Sequence, residues 1–370
     1  MSFIKTAIDT VIKRFFPNLY WDRKIKEFDP STIIYKKQSY QSFLDQALRD
    51  FRPGIFDSQR NVIEYDILRS YLKDRVRPDE YFLYHFDEKS DTERLEYLPR
   101  TPKDRLIISY YKEGWKGTLY HLRNKYEFYQ LAKDFFKRDV ISIGADTNNL
   151  EEFRLFCQKH PKFIAKELKG GCGVGVKLCD VNAFGSPTEL YDNLTASSSW
   201  IIEELIQQDK EISSFNASTV NTIRFPSFRH GSEVVAARPC MRFGRMGNIV
   251  DNAGQGGVFV SIDLQSGEII TDAFDEHGHR YIDHPDSHKI FKGFKVPRWD
   301  ELITFARDLH LSLPAEQVYV AFDFALSENG WVVVEGNWGD WVLQQVSLER
   351  GFAKEFAALL NGETYNDHYK

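Results

Sequence analysis

The sequence predicts an α+β chain with a mainly helical N-terminal lobe, residues 1–120, followed by two mixed segments, 121–212 and 213–370. Three observations predict it. Apolar residues recur at helix-like spacing through much of the first 137 positions. From Phe163 onward the apolar runs are short and broken by Gly-containing turns, the pattern of antiparallel strand pairs. In residues 317–340, two runs rich in Val, Phe and Trp flank Glu328-Asn329-Gly330 and read as a β-hairpin.

Composition narrows the field. With 48 basic and 54 acidic residues the net charge is −6, which gives no general reason to expect a nucleic-acid partner. No stretch reaches the roughly 18 apolar residues of a membrane span, and no signal peptide is legible. Cys157, Cys172, Cys179 and Cys240 show no CxxC spacing, so the expectation is a cytoplasmic protein with reduced thiols.

The elements follow in order. Residues 1–28 read as a basic amphipathic helix, with Phe3, Ile4, Ile8, Ile12, Phe15 and Phe16 among five lysines and arginines before Lys26. Such a segment can touch an anionic membrane surface; Pro17 interrupts it, and packing on the body of the protein is the expected role. Residues 40–75 are helical by the spacing of Phe43, Ala47, Phe51, Ile63, Leu68 and Leu72. Residues 122–137 form one helix with Lys125 in its first turn.

Residues 163–178 place Lys166 on a short strand that runs into Gly170, Gly171, Gly173 and Gly175 and then into a second strand. Neither a P-loop nor a G-x-G-x-x-G fingerprint is present. A glycine-rich hairpin can nonetheless close over a polyphosphate with its backbone N–H groups; a surface hairpin fits the residues equally well. Residues 200–205 form an apolar strand ending in Glu203 and Glu204, with Glu211 beyond it. Residues 219–228 and 234–243 read as an antiparallel pair, with Arg224 in the first strand and Arg238 and Arg242 sharing a face of the second. Arginines projecting from a sheet interior need anionic partners, either phosphate, carboxylate or internal salt bridges. A loop containing Asp251, Asn252, Gly256 and Gly257 precedes a hairpin over 258–270. His277, His279, His284 and His288 are irregularly spaced, so solvent-exposed loop histidines are expected and not a zinc site. Residues 299–311 form a helix.

The last hairpin carries the acidic residues. A three-residue loop with Gly330 in the left-handed position would pair Ser327 with Trp331, and hence Asp323 with Glu335 and Ala321 with Asn337. Phe322, Phe324, Leu326, Val332 and Val334 would share one face; Asp323, Glu335, Asn337, Trp331 and Val333 would share the other. Two carboxylates opposed across a sheet repel unless a cation joins them, and three converging oxygen ligands suit a hard cation such as Mg²⁺.

In this order and spacing the pieces resemble the ATP-grasp superfamily, and in detail its sugar-transfer-associated branch, found among genes for bacterial surface polysaccharides. The resemblance is carried by Leu122-Arg-Asn-Lys125, Lys166 with its glycine loop, the strand from Ile201 to Gln207, Ser218-Thr-Val-Asn-Thr-Ile-Arg224, and Arg242-Phe-Gly. Val250-Asp-Asn with Gly256-Gly257, His284-Pro-Asp, Pro297-Arg-Trp299, and Asp323 followed by Glu335-Gly-Asn337 complete it. It implies an ATP-grasp fold, two α+β subdomains clasping ATP. Lys125, Lys166 and the glycines Gly170, Gly171 and Gly173 would hold phosphates. Glu203, Glu204 and Leu205 would line the adenine side, with Glu211 at the ribose. Asp323, Glu335 and Asn337 would ligate one or two Mg²⁺ ions. Arg224 and Arg242 would face the γ-phosphate and its attacker, with Arg238, Asp251 and Asn252 on the substrate side. The implied activity is an ADP-producing carbon–nitrogen ligase that joins a small-molecule, nucleotide-linked or lipid-linked sugar carboxylate to an amine through an acyl phosphate. A kinase, with Asp251 as base, and a nucleotide-binding partner of a glycosyltransferase are the alternatives. Peripheral contact with a membrane, through residues 1–28, or with polysaccharide-assembly enzymes is a further expectation. One departure is Glu167 after Lys166, where many relatives have proline.

Overall fold

The computed structural model describes residues 2–35, 38–55, 57–111, 113–144, 149–168, 170, 173–339 and 341–363. The chain divides into two compact units, residues 1–103 with 350–353, and residues 104–349 with 354–370.

The first unit is built mainly of helices: α1 Ser2–Phe15, α2 Pro17–Glu27, α3 Tyr40–Phe51, α4 Asp57–Asp74, α5 Pro78–Leu83, the short α6 Asp91–Arg94, and α7 Arg100–Ser109, which starts in it. Two-residue strands β1 Ile34–Tyr35 and β2 Gln38–Ser39 stand between α2 and α3. The helix expected over residues 1–28 is broken at Pro17, which takes the first position of α2, where its missing N–H is not needed. Ser39 caps α3 by accepting from Ser42 N.

The second unit opens with α8 Leu119–Arg123 and α9 Lys125–Phe136. These replace the single helix expected over 122–137. Asn124 adopts an extended backbone, and its side chain accepts from Tyr126 N and Glu127 N, so it ends one helix and caps the next. Next come β3 Val140–Ile143, α10 Leu150–Lys159, β4 Lys162–Glu167, β5 Val176–Asp180, α11 Pro187–Thr195 and β6 Trp200–Glu204. The four strands form an antiparallel sheet in the order β3-β6-β4-β5. Phe163, Ala165, Trp200 and Ile202 from one face of that sheet pack with Phe153 of α10 and Leu190 of α11 in a closed core. Alternation therefore sends Ile164 and Lys166 to the opposite face.

A second, eight-stranded sheet follows the short α12 Lys210–Ser213. Its strands are β7 Thr222–His230, β8 Glu233–Ala236, β9 Cys240–Phe243, β10 Val258–Ser261, β11 Ala273–Phe274, β12 Arg280–Tyr281, β13 Tyr319–Ser327 and β14 Gly330–Asn337. The helices α13 Trp299–Ser312, α14 Val342–Ser347 and α15 Ala353–Leu360 complete the fold. The strand order is β12-β11-β10-β9-β7-β13-β14, with β8 paired to the outer part of β7. β13 is thus central, as its flanking phenylalanines predict, and every residue from Tyr319 to Leu326 is buried.

The last hairpin reaches its expected result by another route. Ser327 pairs with Gly330, so Glu328-Asn329 is a two-residue loop, and Trp331 faces Leu326 and not Ser327. The register then slips by one residue between Asp323 and Phe324, which leaves Val334 as the extra residue of a β-bulge. Beyond the bulge Asp323 pairs with Glu335 and Ala321 with Asn337. On the loop side the face assignment is reversed from the expectation. Trp331 and Val333 join the Phe324 face, and Val332 joins the face of Ala325.

Candidate active site

One side of the site is built on the four-stranded sheet. The Asn124 cap fixes Lys125 at the start of α9, and its Nζ donates to Glu167 O at 3.2 Å and to Gly170 O. Lys166, on the face of β4 away from the core, forms a 2.9 Å ion pair with Glu203 Oε1. Glu203 Oε2 accepts from Arg138 Nε at 3.0 Å and Nη2 at 2.6 Å. Arg138 also donates to Val333 O at 2.7 Å, tying this side to the last hairpin. Burial raises the Glu203 carboxyl, but Lys166 and Arg138 outweigh it and hold the group below the usual carboxylate range. Burial also pushes the Lys125 ammonium down; Glu335 opposes that shift and Lys166 adds to it.

The other side is built on the eight-stranded sheet. Asp323 is fully buried, and both its oxygens are engaged: Arg224 Nε donates to Oδ1, Arg224 Nη2 to Oδ2 at 3.1 Å, and Arg242 Nη2 to Oδ2 at 2.9 Å. Cross-strand pairing explains the convergence. Arg224 lies opposite Asp323 across β7 and β13, and Arg242 lies opposite Thr222 across β9 and β7. Thr222 Oγ1 accepts from Arg242 Nη2 at 2.6 Å and donates to Asp251 Oδ2 at 2.5 Å, while Thr222 N donates to the same oxygen at 2.8 Å. Asn337 Nδ2 stands 3.3 Å from both Asp323 Oδ2 and Glu335 Oε1. Burial raises the Asp323 carboxyl, but the two arginines override it and pull the group down to about 2. Burial and then the Asp323 charge push Glu335 up, with Lys125 and Lys166 pulling against them.

The two sides meet in a cleft of about 210 Å³ lined by Lys125, Gly170, Ile201, Glu203, Glu335 and Asn337, among others. The glycine hairpin also reaches the acidic side. A Cβ on Gly173, whose φ is +75°, would stand 2.8 Å from Asn252 Oδ1, so only glycine permits the approach. Gly336 makes a close approach of another kind: a Cβ there would meet the Phe128 ring of α9 at 2.6 Å. That contact seats the Glu335-Gly-Asn337 strand end against the helix that carries Lys125.

The sequence-predicted residues divide. Lys125, Gly170, Glu203, Glu335 and Asn337 line one cleft, Lys166 reaches it through its pair with Glu203, and Asp323, Arg224, Arg242 and Asp251 join Glu335 and Asn337 through a continuous network. Gly171 lies outside the described residues. Glu203, expected at the adenine side, has its carboxylate committed to Lys166 and Arg138. Glu204 accepts from Asp139 N at 3.0 Å and clusters with Asp139 and His160. Leu205, just past β6, is half-buried, and Glu211 is exposed in the first turn of α12. Arg238 does not share a face with Arg242. Its backbone turns left-handed before Pro239, with φ at +49°, and its guanidinium pairs with both Glu355 oxygens at 2.9 Å. The histidine expectation fails at His284. It is fully buried, its Nε2 bonding Gly244 O at 2.9 Å and its Nδ1 accepting from Asp286 N at 3.2 Å.

Sequence reasoning missed Arg138, Thr222 and Phe128. Thr222 was within reach as the residue two before Arg224 on the same strand face. Arg138 follows a helix end and carries no signal that it would meet Glu203.

The family model described as sugar-transfer associated ATP-grasp matches residues 107–358, more than half of the chain. No curated protein is significantly similar in sequence. Among solved structures, the chain is similar to a D-alanine-D-alanine ligase from Coxiella burnetii at 8% identity and a TM-score of 0.35, covering 59% of this chain and 48% of that one. It is similar to an N5-carboxyaminoimidazole synthetase from Staphylococcus aureus complexed with ADP, at 11% identity and a TM-score of 0.42, covering 66% and 53%. It is also similar to the ATP-grasp ligase PsnB complexed with a minimal precursor, at 11% identity and a TM-score of 0.39, covering 87% and 76%. The match thus spans about half the length of the first two. Membership follows from the family model and not from these distant likenesses: the chain has an α+β ATP-grasp fold and belongs to the sugar-transfer-associated ATP-grasp family.

Proposed function

We propose that the protein is an ATP-dependent carboxylate–amine ligase that forms an amide through an acyl phosphate, acting on a sugar acid, amino sugar or amino acid of bacterial surface-polysaccharide synthesis. One observation carries the reading: Lys125 of α9 and the acid-amide pair Glu335 and Asn337 of β14 line a single cleft, and Glu203 in its wall is paired with Lys166. Lys125 and Lys166 would hold the phosphates, with the backbone of the glycine hairpin over them. Glu335 and Asn337 line the cleft and offer hard oxygen donors to a divalent cation; Asp323, opposite Glu335, would add a third by yielding an oxygen now held by Arg224 and Arg242. A divalent cation held by these residues would supply positive charge to offset that of the phosphates.

Arg224 and Arg242 are pre-positioned by Asp323 and Thr222, and their role would be to stabilise negative charge as the γ-phosphate is transferred. A substrate carboxylate oxygen attacks the γ-phosphorus and ADP leaves. The amine then attacks the acyl carbon, and phosphate departs with the amine's proton passing to solvent. Nothing in this scheme needs a protein nucleophile; positioning and charge suffice. Asp251, the candidate base for a kinase, is spoken for: Oδ2 accepts from Thr222 and Oδ1 faces Arg242 at 3.5 Å. That observation favours ligation over phosphorylation of a hydroxyl. The cleft is smaller than the roughly 300–1,000 Å³ of common small-molecule sites, so a nucleotide would have to widen it.

The test is an ADP-release screen over uronic acids, amino acids and amines, with product masses. The reading predicts ADP and phosphate together with an amide. A phosphoester product, or no ATP consumption with any pair, would overturn it.

A further inference from the structure

We propose that the elbow between α1 and α2 is a docking tip for an anionic lipid surface. The elbow is a tight corner: Phe16 N donates to Ile12 O at 2.7 Å and Tyr20 N to Phe16 O at 3.1 Å, so hydrogen bonding continues through the Pro17 junction. Trp21 is buried and Ile12 half-buried, which anchors the corner from inside. On its outside stand Val11, Phe15, Phe16 and Leu19, exposed to 53%, 65%, 60% and 60%. Four large apolar side chains open to water within nine consecutive positions form a patch and not the scatter normal for a surface.

Charge identifies the occupant. Residues 1–28 hold six basic and three acidic side chains, a net of three positive charges in a chain whose total is −6. The charges are also sorted along the helix pair. Asp9 pairs with Arg23 and Lys24, and Glu27 with the same two, away from the elbow. At the elbow the Arg14 guanidinium lies 5.6 Å from the centroid of the exposed Phe15 ring, and Lys13 Nζ 5.4 Å from that of the buried Trp21, so two cations stand at the corner that carries the exposed rings. An anionic bilayer uses both features at once. Aromatic and aliphatic tips enter the headgroup boundary, and the cations remain among the phosphates. Two such tips placed together would repel, which disfavours a symmetric contact between copies. No helix among the described residues is long and apolar enough to cross a membrane, so the contact is peripheral.

The experiment is co-sedimentation of the full chain with vesicles of phosphatidylcholine alone, and of phosphatidylcholine mixed with phosphatidylglycerol, at low and high salt. The proposal expects binding to the anionic vesicles, weakening with salt, and little binding to the neutral ones. Phe15→Ser with Phe16→Ser, and separately Lys13→Gln with Arg14→Gln, should each lower the partition coefficient by about tenfold or more, with circular dichroism unchanged because these side chains are exposed. Equal binding to both vesicle types, or unchanged binding in both double variants, would overturn it. So would light scattering that shows a dimer dissociated by the phenylalanine variant, which would assign the tip to a second copy of the chain.

Discussion

The lysine side and the acidic side of the cleft solve the problem of buried charge differently. Beside the four-stranded sheet, Lys166 and Arg138 share one carboxylate, Glu203, while Lys125 of α9 leans on backbone carbonyls, so cations are in excess. On the eight-stranded sheet, Asp323, Glu335 and Asp251 surround Arg224 and Arg242, so acids are in excess and Asn337 bridges two of them. Each side alone carries an unbalanced charge, which is costly when buried. Facing each other, they partly cancel, as the pull of Lys125 and Lys166 on Glu335 records. On the proposed reading the lysine side would take an anion and the acidic side a cation.

The contrast can be broken from either side. The largest effect on stability is expected from Glu203→Ala, which leaves Lys166 and Arg138 buried without their counter-ion and should cost about 3–5 kcal/mol by urea unfolding. A loss below about 1 kcal/mol would mean that water already reaches the pair. On the acidic side, Arg242→Ala should lower kcat by about 10²-fold, near 2.7 kcal/mol. If KM alone changes, the residue orients substrate and does not stabilise transferred charge.

Acid pH sharpens the comparison. Arg224 and Arg242 hold the folded Asp323 carboxyl at about 2, below its ordinary value of 3.8. Its stabilising contribution is therefore complete above the unfolded value and fades as the pH falls through the folded one. The stability difference between wild type and Asp323→Asn should shrink by about 2 kcal/mol between about pH 5 and pH 2. No shrinkage would mean that the arginines do not hold the carboxylate as described. Gly336→Ala should cost about 1 kcal/mol or more, because the added methyl must displace the Phe128 ring. Paired with Phe128→Leu, the penalty should largely disappear.

How far the sequence revealed this site depends on what fixed each residue. Asp323 opposite Glu335 was legible, though for an incomplete reason. A three-residue loop and a two-residue loop followed by a one-residue bulge at Val334 both shift the register by one, so alternation at the strand ends cannot distinguish them. Only the residues between loop and bulge, Trp331 to Val333, betray the difference. Lys125 was legible as a first-turn residue, but the Asn124 cap that places it there was hidden inside an apparently continuous helix. Arg238 shows where alternation misleads: a left-handed backbone and Pro239 intervene before Arg242, and the guanidinium turns to Glu355 on a distant helix. The Glu203–Arg138 pair joins positions 65 apart in sequence, and His284 is capped by the N–H groups of its own loop. Such partners depend on tertiary proximity, which periodicity does not encode.

The central claim is that the acidic side takes the cation that the phosphates held by the lysine side require. Calorimetric titration of ATP, with and without Mg²⁺, tests it directly on wild type, Glu335→Gln and Asn337→Ala. Wild type should bind ATP with an affinity that rises at least about tenfold when Mg²⁺ is present. Both variants should remain folded, lose that Mg²⁺ dependence and lose turnover. Mg²⁺-dependent binding and full turnover retained in both variants would contradict the assignment.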